Sequence, residues 1–268
     1  MSAVERVKTW VGGLGLGPWL SYPRRLAVAQ RGTMCLRIGE VEAELSVPTP
    51  GHVLRVERLL HERAFVGRLL GAVRAGDVVF DVGANLGALT TLLGVRAAAV
   101  GASVVGFEPH PELAQEARRL IEASGGGRAR LAEMALGDRD GQIGLRMGGE
   151  ELSGRNAIAT DAAVGEVTVA MHRADTAGTM FGEPAVVKID VEGAEGRVLA
   201  GMSGLLSAGK VREVLIEWHP PAMPAYGDSV AGCRAWLASR GYRSVWSRER
   251  GAERHEHFVL EPAGLSAE

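Results

Sequence analysis

Residues 78–87 read Val78-Val79-Phe80-Asp81-Val82-Gly83-Ala84-Asn85-Leu86-Gly87. An apolar run that closes on an acidic residue and then breaks into small ones predicts a buried parallel strand turning tightly into a helix. Gly83 and Gly87 permit backbone angles and close approaches that a Cβ blocks, and the helix that follows presents unpaired N–H groups at its start. A turn of this kind holds a ligand.

Working outward, strands and helices alternate. Downstream lie a helix over 88–100, a strand over 103–108, a helix over 111–124 closed by Gly125-Gly126-Gly127, and a strand over 129–135. Upstream, Val56, Leu59, Leu60, Phe65, Val66, Leu69, Leu70 and Val73 follow helical spacing and predict one helix over 53–73. Before it, 36–47 alternates as a strand pair around Gly39-Glu40. Gly13-Leu14-Gly15-Leu16-Gly17 resembles a nucleotide loop but lacks a strand before it and a helix pattern after it, so it reads as a flexible or capping segment.

After residue 135 the alternation lapses. Turn chemistry over 137–141, a strand-like stretch over 142–147, an irregular polar stretch over 148–161 and renewed alternation over 166–172 predict a β-hairpin or β-arm insertion. Strand 185–191, helix 194–207 and strand 211–218 restore the order; helix 230–240 and an antiparallel hairpin of 243–248 with 255–260 close the chain. The fold class is therefore α/β: a doubly wound, mostly parallel sheet with a C-terminal antiparallel hairpin and a β insertion. Residues 1–60 read as an N-terminal extension or cap, and 61–268 as the ligand-binding domain.

With 268 residues, 46% of them hydrophobic, and a formal net charge of −2, the chain is an ordinary globular one with no global field to draw it onto nucleic acid or an anionic membrane. Cys35 and Cys233 stand far apart without metal-ligand spacing and read as reduced packing residues, which suits a cytoplasmic location. No apolar stretch reaches the roughly 20 residues that span a bilayer. The apolar start carries Pro18, repeated glycines and no small-residue cleavage pattern, which argues against a signal peptide. Lys8, Lys188 and Lys210 are the only lysines among many arginines, so Lys188, in a strand, draws notice.

Ligands of open α/β sheets bind beyond the carboxyl ends of the strands. Residues with chemistry fall at those ends: Asp81 to Gly87, Glu108, Asp190 to Glu192, and Glu217 with His219. An acidic group beside the glycine turn repels a pyrophosphate but suits a ligand with an amino or sulfonium cation, which favours S-adenosylmethionine over NAD. Glu108, roughly 20 residues beyond the turn, is placed to accept bonds from ribose hydroxyls, a geometry shared with dinucleotide folds.

Asp81-Val82-Gly83-Ala84-Asn85-Leu86-Gly87, Phe107-Glu108-Pro109-His110-Pro111, Ala135-Leu136-Gly137-Asp138, Lys188-Ile189-Asp190-Val191-Glu192-Gly193-Ala194-Glu195 and Ile216-Glu217-Trp218-His219, in this order, together resemble the FkbM family of S-adenosylmethionine-dependent methyltransferases. The resemblance runs from about residue 62 to 219. It implies a Rossmann-like class I methyltransferase fold and usually O-methylation, often in natural-product or glycan biosynthesis. The cofactor residues it points to here are Asp81, Gly83, Ala84, Asn85, Gly87, Glu108, Ala135, Asp190 and Glu192. His172-Arg173-Ala174-Asp175 departs from the Thr-Leu-Asp-Asp stretch common in the family.

Transfer of a methyl to a hydroxyl needs a base. His219 is the first candidate, because imidazole titrates near physiological pH. Asp190 is the second, and alternation along the strand puts it on the side of Lys188 and Glu192, so either carboxylate serves as base or orients the cofactor's cationic end. The structural alternatives are a loop histidine bonding a carbonyl beside Pro220, and a network in which Lys188 neutralises buried carboxylates. Asp190, Glu192, Glu217 and His219 also offer hard ligands to magnesium, but nothing in their spacing fixes a coordination geometry, and no metal site is expected. Asn85 reads as a helix cap, and His110, His255 and His257 as surface or strand residues.

The acceptor is expected to be a sugar, glycan or secondary-metabolite hydroxyl, bound near Trp218, Met223 and Tyr226 and the loops around Asn156 and over 220–227. The alternatives are a non-catalytic cofactor-binding assembly subunit and a nucleotide-dependent oxidoreductase. The sequence leaves the oligomeric state open, a homo-oligomer included.

Overall fold

The computed structural model describes residues 17–146, 157–158 and 167–261. The Gly13–Gly17 stretch up to residue 16 and the loop around Asn156 lie outside the described residues. In chain order the elements are α1 (Gly17–Arg31), β1 (Thr33–Ile38), β2 (Val41–Ser46), α2 (Pro50–His61), α3 (Arg63–Ala72), β3 (Val78–Val82), α4 (Ala88–Val100), β4 (Ser103–Phe107), α5 (Pro111–Ala123) and β5 (Ala129–Ala132). They continue as β6 (Ala135–Gly137), β7 (Gly141–Arg146), β8 (Ala157–Ile158), β9 (Val167–Arg173), α6 (Ala174–Phe181), β10 (Val186–Ile189), α7 (Glu195–Gly201), α8 (Ser203–Ser207) and β11 (Glu213–Trp218). A 3-10 turn (Met223–Tyr226), α9 (Val230–Ala238), β12 (Tyr242–Arg250) and β13 (Glu253–Leu260) complete them.

The main sheet has seven strands in the order β12-β13-β11-β10-β3-β4-β5. Strands β11, β10, β3, β4 and β5 are parallel, and only the hairpin partner β13 runs antiparallel to β11. The order reverses at β3, where the chain first goes one way to β4 and β5 and later the other way to β10 and β11. Asp81 to Gly87 therefore sits at the topological switch point, where such sheets open a crevice.

Alternation along the buried strands feeds two cores. Val79, Val104 and Leu215 face the layer of α2, α3 and α4, with the β1–β2 pair packed into it through Leu36 and Leu45. Phe80, Val105, Phe107, Val214, Ile216 and Trp218 face the layer of α6 to α9. Phe80 and Phe107 meet edge to face at 4.8 Å across neighbouring strands. Burying a side chain of this size contributes roughly 1.5–3 kcal/mol, so the sheet is held from both faces.

The insertion is a second sheet in the order β6-β9-β7-β8, in which β7 and β9 pair antiparallel from Gly141 opposite Met171 to Leu145 opposite Val167. The strand expected over 129–135 splits: β5 ends at Ala132, and β6 joins the arm by pairing parallel with β9. The hairpin at the C-terminus forms as expected, with its second strand inserted beside β11.

Three expectations are corrected. Residues 17–31 form a helix despite Pro23, because Ala29 is buried in the first core and Arg25 Nε donates to Glu57 Oε2 at 2.8 Å on α2. The helix expected over 53–73 starts at Pro50, capped by Thr49, and breaks at Glu62, whose side chain meets Arg250 at 2.7 Å. Residues 174–181 form α6, which the irregular local pattern did not suggest; Asp175 caps α8 by accepting from Leu205 N at 3.0 Å and Gly204 N at 3.1 Å.

Candidate active site

The switch-point turn is built by the backbone. Gly83 has φ +83°, and a Cβ there would lie 1.8 Å from the carbonyl oxygen of Asp190, so only glycine lets the end of β3 approach the end of β10. Gly83 N and Ala84 N both donate to Phe107 O at 3.0 Å, which draws the turn over the end of β4. Asn85 adopts φ 53°, with its side-chain oxygen accepting from Leu86 N at 2.9 Å; the residue that opens α4 is Gly87.

Glu108, only 6% exposed, reaches back to this turn. Its Oε2 accepts from Asn85 N at 2.8 Å and its Oε1 from His110 N at 3.0 Å. Burial pushes its carboxyl up to about 7, while the two backbone donors and Lys188 pull the other way. An ionised carboxylate has about four acceptor positions, so two remain for a ligand's hydroxyls. Leu113, Met134, Ala135 and Leu136 form an apolar wall beside it.

Lys188 joins this end of the site to the other. Its Nζ lies 3.1 Å from Asp81 Oδ1, donates to Gly83 O at 3.0 Å and stands 3.5 Å from Asp190 Oδ2. Burial opposes its charge, but Asp81 and then Asp190 more than offset this, so the ammonium holds its proton above the usual lysine range. Asp81 is fully buried, and its other oxygen accepts from Thr90 Oγ1 at 2.6 Å. Its charge is thus matched inside the protein and it does not line the cleft, contrary to the expectation that it faces the cofactor's cation.

A cleft of roughly 310 Å³ runs from Glu108 past Gly83, Ala84 and Asn85 to Asp190, Glu192 and His219. Gly83, Ala84, Asn85, Glu108, Ala135, Asp190, Glu192 and His219 all line it; Gly87 does not, because it packs on α5, where a Cβ would lie 2.8 Å from that of Ala117. At the far end Glu192 takes φ 53°, and His219 is 7% exposed. His219 Nδ1 is 2.8 Å from Glu195 Oε1, and its Nε2 is 3.6 Å from Glu192 Oε2 and 3.8 Å from Asp190 Oδ1. Burial works against charging this ring, yet the hydrogen bond to Glu195 and the charges of Asp190, Glu195 and Glu192 win, lifting it to about 9. The imidazole chosen because it titrates near physiological pH is therefore held in its protonated form at neutral pH by its neighbours.

Several wall residues escaped the reading of the sequence. Glu62 and Arg250 meet there, with Glu217 3.6 Å and Glu253 3.5 Å from Arg250, and Arg55 and Arg58 line the side formed by α2. Glu195 stands in the quoted Lys188–Glu195 motif, but nothing local marks it as the partner of a histidine 24 residues on. Candidate ligand atoms of Asp190, Glu192 and His219 lie within 4.8 Å of one another, as do those of Glu217, His219 and Glu253.

Other candidates fall elsewhere. Trp218 and Met223 are fully buried in the second core, with Trp218 Nε1 donating to Glu256 Oε2 at 2.9 Å, so they do not line the cleft. Tyr226 also lies outside the cleft lining, with Arg197 stacked 5.4 Å from its ring centre. His110 is buried as the cap of α5 rather than on the surface, and the strand residues His255 and His257 are buried against Glu217 at 3.1 Å and Glu213 at 2.9 Å.

The sequence matches the family described as Methyltransferase FkbM domain over residues 81–244. Among curated proteins, the hexuronic acid methyltransferase AglP of Haloferax volcanii is 27% identical over 198 residues, covering 73% of this chain and 78% of that protein. Among solved structures, methyltransferase FkbM from Methylobacillus flagellatus aligns with TM-score 0.48 and 16% identity, covering 70% of this chain and 45% of that one. The precorrin-6y C5,15-methyltransferase of Geobacter metallireducens aligns with TM-score 0.46 and 9% identity, covering 75% of this chain and 89% of that one. No helix among the described residues is long and apolar enough to cross a membrane.

Proposed function

Since the chain belongs to the FkbM methyltransferase family, we propose that it transfers a methyl group from S-adenosylmethionine to a hydroxyl oxygen of a sugar or glycan. The observation that carries this reading is a cleft with the buried carboxylate of Glu108 at one end and the Nε2 of His219 at the other. The family match removes the ground for an oxidoreductase. The acceptor class draws on the hexuronic acid named for the Haloferax relative, and Arg58, exposed on the cleft wall, offers such an acid a countercharge.

The residues present fit the methyl donor. Glu108 has acceptor positions free for ribose hydroxyls, the wall from Met134 to Leu136 suits a flat apolar base, and Asp190 and Glu192 supply negative charge where an amino acid's ammonium is to be held. When bound, S-adenosylmethionine supplies a methyl group on a positively charged sulfur, ready for in-line displacement. Much of the rate then comes from holding the reacting atoms in line, and the backbone turn at Gly83 to Asn85 would hold the donor's part of that line.

The chain's own proton chemistry lies at His219. In its neutral form, Nε2 takes the proton of the acceptor hydroxyl as the oxygen forms its bond to the methyl carbon. Asp190 and Glu192 stabilise the imidazolium that results. Because Glu195, together with these two carboxylates, holds His219 protonated below about 9, the active form gains population as pH rises.

The test incubates the protein with S-adenosylmethionine and a panel of neutral and acidic sugars and glycans, and reads methyl addition by mass spectrometry. Mild alkali then distinguishes an ether from an ester. An alkali-stable methyl ether on a sugar is expected. Transfer only to nitrogen or to a carboxylate overturns the hydroxyl reading, and transfer only to acceptors without a sugar overturns the acceptor class.

A further inference from the structure

We infer that Glu195 is the positioning residue of the transfer site, the group that fixes which ring nitrogen of His219 faces the cleft and ties that ring to the turn carrying Asp190 and Glu192. The inference rests on the proposed role of His219 and adds the residue that makes that role geometrically available.

Glu195 is wholly buried at the start of α7. Its Oε1 accepts from two loops at once: from Gly193 N at 2.8 Å and from His219 Nδ1 at 2.8 Å. Oε2 is buried with no hydrogen-bond partner among the described residues. A buried carboxylate with an idle oxygen is costly unless a charged partner compensates it, and His219 is the partner in contact. The first loop has little freedom: Gly193 takes φ +112°, where a Cβ would lie 2.7 Å from that of Ala222. The second is anchored by His219 O, which accepts from Ala222 N at 2.9 Å and Met223 N at 3.1 Å. One oxygen therefore sets the distance between the turn at 190–193 and the loop after β11.

The chemical consequence follows from donor and acceptor roles. An ionised carboxylate only accepts, so the bond to Glu195 requires hydrogen on Nδ1. When His219 loses a proton it must lose it from Nε2, the nitrogen that faces Asp190 at 3.8 Å and Glu192 at 3.6 Å across the cleft. Without the carboxylate, the neutral ring is free to carry its hydrogen on Nε2, which cannot accept a proton from an acceptor hydroxyl. Besides Glu195 on α7 and the two carboxylates of the 190–193 turn, Glu217 on β11 and Glu253 on β13 also lie near the ring. Substituting Glu195 alone leaves those four in place and isolates its share.

The test is nitrogen NMR of the histidine rings in the full chain, with His219→Ala assigning the signals, together with kinetics of Glu195→Gln. In the wild type the deprotonated ring is expected to keep hydrogen on Nδ1. In Glu195→Gln the titration midpoint drops by more than one pH unit and the tautomers mix. Turnover falls on the order of a hundredfold or more, as when a buried carboxylate partner of a catalytic histidine is neutralised. Affinity for S-adenosylmethionine, measured calorimetrically, stays within about twofold, and the pH–rate profile moves with the NMR midpoint. A wild-type ring with hydrogen on Nε2 overturns the inference even if the variant fails to fold, and so does a folded variant that titrates like the wild type. If the tautomer and midpoint behave as expected but His219→Ala keeps full turnover, the base reading falls while the positioning by Glu195 stands.

Discussion

At the Glu108 end of the cleft, recognition is held by main chain: the turn over 83–87 folds on its own glycines, and its Asn85 N–H together with the nearby His110 N–H grips the carboxylate. At the His219 end the same cleft is lined by side chains that hold one another, with Glu195, Asp190 and Glu192 from one stretch of chain and the ring from another. The first arrangement rests on backbone geometry, with two main-chain donors on one carboxylate. The second exists as a set of mutually dependent charges, so removing any one member alters the proton affinity of the rest.

The contrast can be broken most forcefully at the ring itself. His219→Ala is expected to lower turnover by about 10²–10⁴-fold while leaving donor affinity nearly intact, as steady-state kinetics and calorimetry will show. Weakened donor binding in that variant would mean that the two ends are not separable.

Next in size comes the joint between them. Lys188→Met leaves the carboxylate of Asp81 buried and uncompensated, and the loss of a buried partner typically costs about 3–5 kcal/mol. Urea denaturation should register that loss in midpoint with little change in slope. A variant as stable as the wild type would show that the charge on Asp81 needs no partner.

The smallest effect belongs to the Glu108 end. Glu108→Gln should weaken S-adenosylmethionine binding by about 1.5–3 kcal/mol, the size of a charge-assisted hydrogen bond, with turnover at saturating donor preserved. Because hydroxyl donors favour the ionised carboxylate, wild-type affinity rises with pH through about 7, and the glutamine variant should show no such rise. An equal pH response in both would place the titrating group elsewhere.

How far each end was legible in the sequence follows from the same division. The turn declared itself because glycine spacing encodes backbone geometry directly, and the doubly wound class follows from the alternation of elements around it. Glu108 was readable from its distance along the chain. That Asp81 turns into the interior was hidden, because the sequence shows a carboxylate beside the turn but not Lys188 and Thr90, which reach it from β10 and α4. The state of His219 was equally hidden, since its proton affinity is set by carboxylates on other segments. Trp218 and Met223 looked like pocket residues because an apolar side chain near a strand end packs inward or lines a cleft with the same local pattern. Helix α6 and the break at Glu62 arise from partners distant in sequence, Gly204 and Leu205 for Asp175, Arg250 for Glu62.

The close approach at Gly83 has a consequence for how such a protein diversifies. The space between the α-carbon of residue 83 and the Asp190 carbonyl admits a hydrogen atom and nothing larger. Drift at this position is not gradual: the smallest available side chain already wedges two neighbouring strands apart and misaligns everything mounted on them. On the proposed function, variation in the acceptor would be met on the cleft wall away from this approach, where Arg58, Glu62, Arg250 and Glu253 stand.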